Sequence, residues 1–261
     1  MSLVSAAPSE YTAPGVEEFW QPLFGTDGPW AITRPLFLIV ISVGLIIWYL
    51  LATTRKKALV PSRGQMATEA VYGLVRNGIA KDLIGSKEFL RFVPLLFTLF
   101  TFILVNNLFG VIPLFQFPTM GRIGFPIGLA LISWITFHVV GFRKHGFVGY
   151  WKSLVPSGLP GGMIVPIFLL ELITDLFTRP VTLALRLFGN MFAGHLLLVL
   201  FIGGGEYMIR HGAFGIKLAG VGSLGMGFVM TVFEILVQVL QAYIFVLLTA
   251  IYIAGALADE H

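Results

Sequence analysis

Two apolar stretches in the C-terminal part of the chain are each too long to cross a membrane upright. One runs from about residue 166 to 202 and the other from about 216 to 257, with three glycines at 203–205 predicted in the connection. Unbroken helices of these lengths would be roughly 55 and 60 Å long, whereas a hydrocarbon core is only about 30 Å thick. Neither stretch contains a polar turn that would divide it into two spans. We therefore predict a hairpin of two steeply tilted helices, with Pro180 as the candidate for a kink in the first.

The rest of the chain also has the composition of a membrane protein. Hydrophobic residues make up 57% of it and charged residues only 11%, less than half the charged fraction of a typical soluble domain, about 25%. Further apolar runs at about 35–52, 92–112 and 123–142 predict spans. The mixed segment 61–91 has apolar residues at helical spacing, which predicts an amphipathic helix on the inner surface. The fold class is thus all-α, with about five membrane-embedded helices and one surface helix.

Flanking charges predict the orientation. The first thirty residues carry four acidic side chains and no Lys or Arg, whereas basic clusters at 55–57 and 143–145 follow two of the spans. The positive-inside rule then places the N-terminus outside and the C-terminus in the cytoplasm. We expect a bacterial plasma membrane, because no targeting peptide precedes the first span, and an organellar membrane is left open as the alternative. The cations behind the net charge of +4 lie mostly beside spans, so they do not indicate nucleic-acid binding. We predict three parts: an extracytoplasmic segment 1–34, peripheral helices in 35–162 and the tilted hairpin in 163–261, with the Pro- and Gly-rich stretch 146–162 as a loop before the hairpin.

Some kinds of chemistry are excluded. The chain has no cysteine, so disulfides, thiolate metal sites and cysteine nucleophiles are absent. No G-x-x-x-x-G-K-[ST] loop occurs either, so any ATP chemistry belongs to partner subunits. We predict no cofactor, no metal and no catalytic residue.

Ionisable residues within apolar spans are costly and are functional candidates, and here they concentrate in the two long helices. At 100° per residue, one polar stripe falls within about a quarter of a turn; its members are Glu171, Asp175, Thr182, Arg186 and Asn190. A second stripe on the last helix consists of Glu234, Gln238 and Gln241. His195 lies about 180° from Arg186, so it faces a different neighbour.

Structural explanations compete with functional ones for most of these groups. Asp175 and Arg179, four residues apart, are suited to neutralise each other. A buried carboxylate such as Glu171 or Glu234 can be a protonated group that only forms structural hydrogen bonds. A buried histidine such as His195 can likewise be a hydrogen-bonded core residue without a functional role. His138 and His145 are predicted near the cytoplasmic end of a span, at the surface, and the asparagines at 106–107 are candidates for bridging helices.

Arg186 differs in kind from the other polar groups. A guanidinium does not lose its proton in a protein, so burial cannot neutralise it. An unpaired cation in the membrane costs several kcal/mol by contested estimates. We therefore expect Arg186 to face a carboxylate, water or an anion supplied by a partner subunit.

The residues around this arginine carry a resemblance. The run 179–195, RPVTLALRLFGNMFAGH, closely resembles the signature of subunit a of the F-type ATP synthase membrane (Fo) sector. The run 240–245, LQAYIF, the terminal 259–261, DEH, and the position of Asn107 before Pro113 match the same family. The resemblance extends from the first span to the C-terminus.

The resemblance implies a non-catalytic, proton-translocating stator subunit, with two long helices curving around a ring of proteolipid c subunits. Arg186 would be the essential arginine that faces the ring and separates two offset half-channels, with Asn190 and Gln241 as its polar neighbours. The outer half-channel would be lined by Glu171, His195, Glu234 and Asn107. Asp175, Thr182 and Gln238 are weaker candidates. Further partners would be b-type stator subunits, the rest of the F1Fo complex and membrane lipid.

One departure from the family pattern concerns the outer path. Many relatives carry a carboxylate where this chain has His195 and a histidine where it has Glu234, so the acid and the imidazole are exchanged. Which of the two delivers the proton is left open. Two other functions also remain open: a stand-alone proton-coupled secondary transporter, which usually has repeated halves that are not found here, and a non-conducting membrane scaffold.

Overall fold

A computed structural model describes residues 22–24, 32–55, 62–112, 119–154 and 161–258. The protein is all-α apart from a two-stranded antiparallel ladder of β1 and β2 near the N-terminus, and this confirms the predicted class. Most of the segment 1–34 and the terminal 259–261 lie outside the described residues. The elements are β1 Pro22–Phe24, β2 Ile32–Thr33, α1 Arg34–Thr54, α2 Arg63–Gly73, α3 Asp82–Ile84, α4 Val93–Leu108, α5 Gly124–Ser153, α6 Gly161–Ile173, α7 Arg179–His211 and α8 Phe214–Leu257.

Four helical stretches are long and apolar enough to cross a membrane: Pro35–Thr54, Gly124–Ser153, Gly162–His211 and Phe214–Leu257. The fifth, α4, has 16 residues, which is about 24 Å of helix. It is shorter than the predicted span 92–112, because the chain leaves the helix after Leu108 and continues as turns to residue 112. The expected total of about five membrane-embedded helices is confirmed.

The predicted surface helix is amphipathic. It begins at α2, where the Ser62 hydroxyl accepts a hydrogen bond from the Gln65 N–H at 3.3 Å, and continues through a π-helical segment, Leu74–Lys81, into α3. Val75 and Ile79 are fully buried and belong to the main core, whereas Asn77 and Lys81 are exposed. The apolar side of this helix therefore packs against the bundle, as its spacing predicted.

The predicted loop 146–162 is partly wrong. Gly146 has φ +71°, a conformation that other residues rarely adopt, and it interrupts α5 without ending it: the chain resumes a helix to Ser153. Tyr150 then packs back on the first part of the helix, and a Cβ at Gly141 would lie 2.3 Å from its ring. The glycine at 141 thus makes room for Tyr150 in the core.

The long hairpin is formed by the run 162–211 and by α8, which have 50 and 44 residues. At 1.5 Å per residue they are about 75 and 66 Å long, longer than predicted and more than twice the roughly 30 Å thickness of a hydrocarbon core. The prediction that the glycines at 203–205 form the connection is wrong, since α7 continues to His211 and only Gly212 and Ala213 join the two helices. A Cβ at Gly205 would lie 3.1 Å from the Gly220 carbonyl. Gly205 is therefore a contact point between tightly packed helices.

A π-helical turn, Thr174–Thr178, joins α6 to α7. The Arg179 N–H donates to the Thr174 carbonyl, five residues earlier, and Pro180 follows at the start of α7. A π-helical turn contains more residues than an α-helical turn. It therefore rotates the side chains of α6 and of the turn, around the helix axis, relative to those of α7. This explains why Asp175 is fully buried while Thr182 and Arg186 are exposed; Asp175 does not lie on the predicted stripe.

Candidate functional site

The stripe predicted on α8 is a buried polar column between α8, α4 and α7. Glu234, Gln238 and Gln241 are 4%, 0% and 2% exposed, although α8 is apolar on most of its surface. Gln238 Nε2 donates to Glu234 Oε1 at 3.2 Å. Asn107 on α4 donates from Nδ2 to the Gln238 carbonyl at 3.3 Å. The three side chains thus lie on one face, as their spacing predicted, and Asn107 joins them.

The column has unused hydrogen-bond acceptors. Asn107 Oδ1, Gln238 Oε1 and Glu234 Oε2 are buried and accept no hydrogen bond from any residue that the structure describes. Buried polar atoms in proteins are nearly always paired, and unpaired ones cost free energy. Asn107 and Glu234 are both hydrogen-bonded to Gln238, so these three oxygens belong to one connected group of polar residues that could bind ordered water molecules.

His195 and Glu234 lie at the same level of the hairpin. His195 is 8% exposed, whereas Arg186 lies on the exposed side of α7, so the two do face in opposite directions. The Glu234 carboxylate packs against α7 beside this histidine: a Cβ at Gly194 would lie 3.3 Å from both its Cδ and its Oε1. Glycine at position 194 therefore gives the carboxylate room to approach the backbone next to His195.

Arg186 lies on an exposed face of α7 together with Thr182, Asn190 and Ala193. Across the described part of the chain it makes no hydrogen bond and no ion pair, in contrast to Arg179, which pairs with Asp175. Asn190, one turn after Arg186, donates from Nδ2 to Gln241 Oε1 at 2.8 Å. This hydrogen bond links the exposed arginine face to the buried column.

Exposed leucines accompany these polar residues on the hairpin. On α7 the residue next to Arg186, Leu185, is 49% exposed, and on α8 Leu236 and Leu240 are 62% and 47% exposed. A charged group within such a surface fits poorly against lipid. The arrangement instead suits a protein partner that brings an acid to the arginine.

Asp175 belongs to a different cluster. It is fully buried and forms the predicted pair with Arg179. It also accepts a hydrogen bond from Tyr150 Oη at 2.9 Å and lies 3.3 Å from His138 Nε2. The prediction that His138 lies at the surface is wrong, because it is 4% exposed. The break in α5 brings Tyr150 to this cluster, and spacing alone does not reveal that break.

The remaining candidates lie apart from the column. Glu171 on α6 is partly exposed and makes no hydrogen bond or ion pair within the described ranges. Asn106 bridges helices as anticipated: its Nδ2 donates to Ser42 Oγ at 2.9 Å, and Thr119 Oγ1 donates to its Oδ1 at 3.0 Å. No cluster of His, Asp and Glu suited to a metal ion is found among the residues with a described position.

Known proteins resemble this chain over its whole length. The family model of the ATP synthase A chain matches residues 36–254. The chain is similar to ATP synthase subunit a of a Nocardioides species, at 46% identity over all of this chain and 98% of the relative. It is also similar to subunit a of Pseudarthrobacter chlorophenolicus, at 42% over all of this chain and 99% of the relative, and of Streptomyces lividans, at 40% over 96% and 89%.

The match covers α1 and all the helices that carry the candidate residues. These relatives are 40–46% identical to the chain over nearly their whole length, so the chain shares their family. Subunit a is the non-catalytic membrane subunit of the ATP synthase, with catalysis located in the F1 sector. This multi-pass membrane protein, with its exposed arginine beside a buried polar column, belongs to the ATP synthase subunit a family.

Proposed function

We propose that the chain is the proton-translocating stator subunit of an F-type ATP synthase. It provides two offset half-channels to a rotating ring of proteolipid c subunits, and Arg186 separates the two. The observation that carries the proposal is Arg186 itself, a permanent cation on the exposed face of a membrane-spanning helix with no anionic partner among the described residues. An acid brought by the ring would complete this site.

The electrostatics of such an encounter favour proton release. At 4 Å and an effective dielectric constant near 20, a carboxylate and a guanidinium attract each other by about 4 kcal/mol. A ring carboxylate in lipid must be protonated, because its charged form would bear the desolvation cost. Beside Arg186 the charged form is stabilised, so the proton leaves. The fixed positive charge also repels protons that would pass directly from one half-channel to the other.

The buried column supplies the outer half-channel in this proposal. Asn107, Glu234, Gln238 and His195 contribute donors and acceptors inside the bundle, and the pair Asn190–Gln241 continues them to the face of Arg186. Water bound to these groups would relay protons to the ring. Glu171 is assigned to the path on the family resemblance, and Thr182 is a weaker candidate because of its place on the polar stripe of α7. Asp175, the other weaker candidate, lies in a separate cluster with Arg179 and is not assigned to the path.

The orientation and the partners follow the same proposal. The N-terminus lies outside and the C-terminus in the cytoplasm, since the basic residues at 143–145 follow the first part of α5. The segment 35–162 supplies peripheral helices that contact b-type stator subunits, and the segment 163–261 supplies the rotor-facing hairpin. Copurification of a small carboxylate-bearing proteolipid with this chain would distinguish the stator from a stand-alone transporter.

The test is the substitution Arg186→Ala in the assembled complex. We expect the complex to assemble and ATP-driven proton pumping to be abolished, because no other described cation lies unpaired on this face. Pumping is measured in inverted membrane vesicles by quenching of a pH-sensitive dye. The matched control is Arg210→Ala, which removes an exposed arginine paired with Glu206 near the end of α7 and should leave pumping unchanged. Coupled pumping by Arg186→Ala would refute the role.

A further inference from the structure

Asp175 lies in the one turn of the long helical run 162–211 that departs from α-helical hydrogen bonding. In an α-helix the Asp175 carbonyl would accept the N–H of Arg179, four residues later. Here that N–H donates to the Thr174 carbonyl instead. The Asp175 carbonyl accepts from Trp134 Nε1 on α5 at 3.2 Å. A side chain from a neighbouring helix thus replaces a backbone donor.

The Asp175 side chain is held from the same direction. Tyr150 donates to Oδ2, and His138 Nε2 lies 3.3 Å from that atom. His138 is itself oriented by Nδ1, which lies 3.0 Å from the Trp134 carbonyl; because a carbonyl only accepts, Nδ1 carries the proton there. Trp134 and Tyr150 of α5 therefore hold the backbone and the carboxylate of Asp175, and His138 lies against the same carboxylate.

Arg179 completes the cluster from within α7. Its guanidinium pairs with Asp175, and its central carbon lies 5.2 Å from the centre of the Tyr252 ring on α8. The cluster connects α5, α7 and α8 two turns before Arg186.

We propose that the residues Trp134, His138, Tyr150, Asp175 and Arg179 form a positioning cluster that stabilises the π-turn and so determines which way α7 presents Arg186. The inference rests on the proposed function. The direction in which α7 presents its side chains depends on this turn. Conversion of the π-turn into an α-turn would change the hydrogen-bond register between α6 and α7 and so rotate one helix relative to the other. In this role Asp175 acts through its charge pair and hydrogen bonds, and its carboxyl group does not carry a transported proton.

A neutral double variant separates positioning from proton transfer. Asp175→Asn alone leaves Arg179 without its counter-charge, so we expect ATP-driven pumping to fall at least tenfold. Adding Arg179→Gln replaces the ion pair by an amide pair, and pumping should return to within about threefold of the parent. If the double variant assembles but stays as slow as the single one, Asp175 is needed as an acid and the inference is wrong.

The phase of α7 is measured by disulfide cross-linking, because the chain contains no cysteine. Ala193 is exposed on the face of Arg186, whereas Ala184 is 3% exposed. Ala193→Cys should cross-link to cysteines scanned along the outward helix of the ring, and Ala184→Cys should not. If Ala193→Cys gives no ring cross-link in the otherwise unchanged complex, the proposed function itself fails.

The indole N–H gives a second, milder perturbation. Trp134→Phe keeps an aromatic ring but removes the donor to the Asp175 carbonyl, so the yield of the Ala193→Cys cross-link should fall at least threefold. The matched control is Trp151→Phe on the same helix, because the indole of Trp151 donates to none of the described residues. An unchanged cross-link in Trp134→Phe and in Asp175→Asn would overturn the positioning role.

Discussion

Substitution of Gly220 by alanine tests the packing that forms the hairpin. A Cβ at this position would lie 2.8 Å from Ile209 Cγ1, 2.9 Å from the Gly205 carbonyl oxygen and 3.1 Å from Met208 Cβ. Ordinary contacts of this kind begin near 3.4 Å, so α7 and α8 must separate by several tenths of an ångström. The Gly205 oxygen is part of the backbone and cannot rotate away.

Overpacking of this kind typically costs about 1–3 kcal/mol, and the backbone contact places Gly220→Ala toward the upper end. The control is Gly222→Ala, two residues later on an exposed part of α8, where nothing lies within 4 Å of the new Cβ. The better helix propensity of alanine, about 0.5–1 kcal/mol, favours both variants equally, because both positions lie inside α8, and it cancels in the comparison. We therefore expect the two variants to differ by about 2–3 kcal/mol in the free energy of unfolding.

The assay is unfolding of the purified subunit in mixed micelles of a mild detergent and increasing SDS, followed by loss of helical circular dichroism. Gly220→Ala should unfold at a lower SDS fraction than the parent, and Gly222→Ala at the same or a higher one. Equal midpoints for both variants would show that α7 and α8 do not pack closely at Gly205 and Gly220.

Two further predictions concern buried polar groups. Glu234→Gln should slow proton translocation in vesicles, because it removes the only carboxylate of the described column, whereas the exposed Glu206→Gln should not; an unchanged rate for Glu234→Gln would exclude it from the path. Asn106→Leu should lower the unfolding free energy by about 1–3 kcal/mol, because Ser42 and Thr119 lose a buried partner; an unchanged SDS midpoint would contradict the bridging role.

Predictions from local sequence patterns agree with the structure where the membrane imposes its requirement on each segment separately. Apolar runs longer than the bilayer predicted the spans and the long hairpin, because lipid imposes the same requirement on each segment. The spacing of Glu234, Gln238 and Gln241 predicted a single face, because α8 is a regular helix through that region. The pairing of Asp175 with Arg179 followed from spacing in the same way.

The errors occur where a contact between helices overrides the local pattern. Glycines at 203–205 suggest a turn, but Gly205 is a point of close approach to α8. Gly146 suggests the start of a loop, yet the helix resumes and carries Tyr150 back to Gly141. The partners of His138 come from three sequence regions, so spacing within α5 could not reveal them.

By itself, the sequence determined the membrane class, the number of embedded helices and the family. The length of an apolar run and the arginine motif at 179–195 are both properties of contiguous residues, so they can be recognised without the fold. Only the tertiary structure decided that Asp175 turns inward while Arg186 stays on the exposed face. That difference depends on a π-turn whose displaced carbonyl bonds to Trp134 on another helix. The turn leaves the Asp175 carbonyl without its usual backbone donor, and the donor that replaces it comes from a different helix, which no local sequence pattern includes.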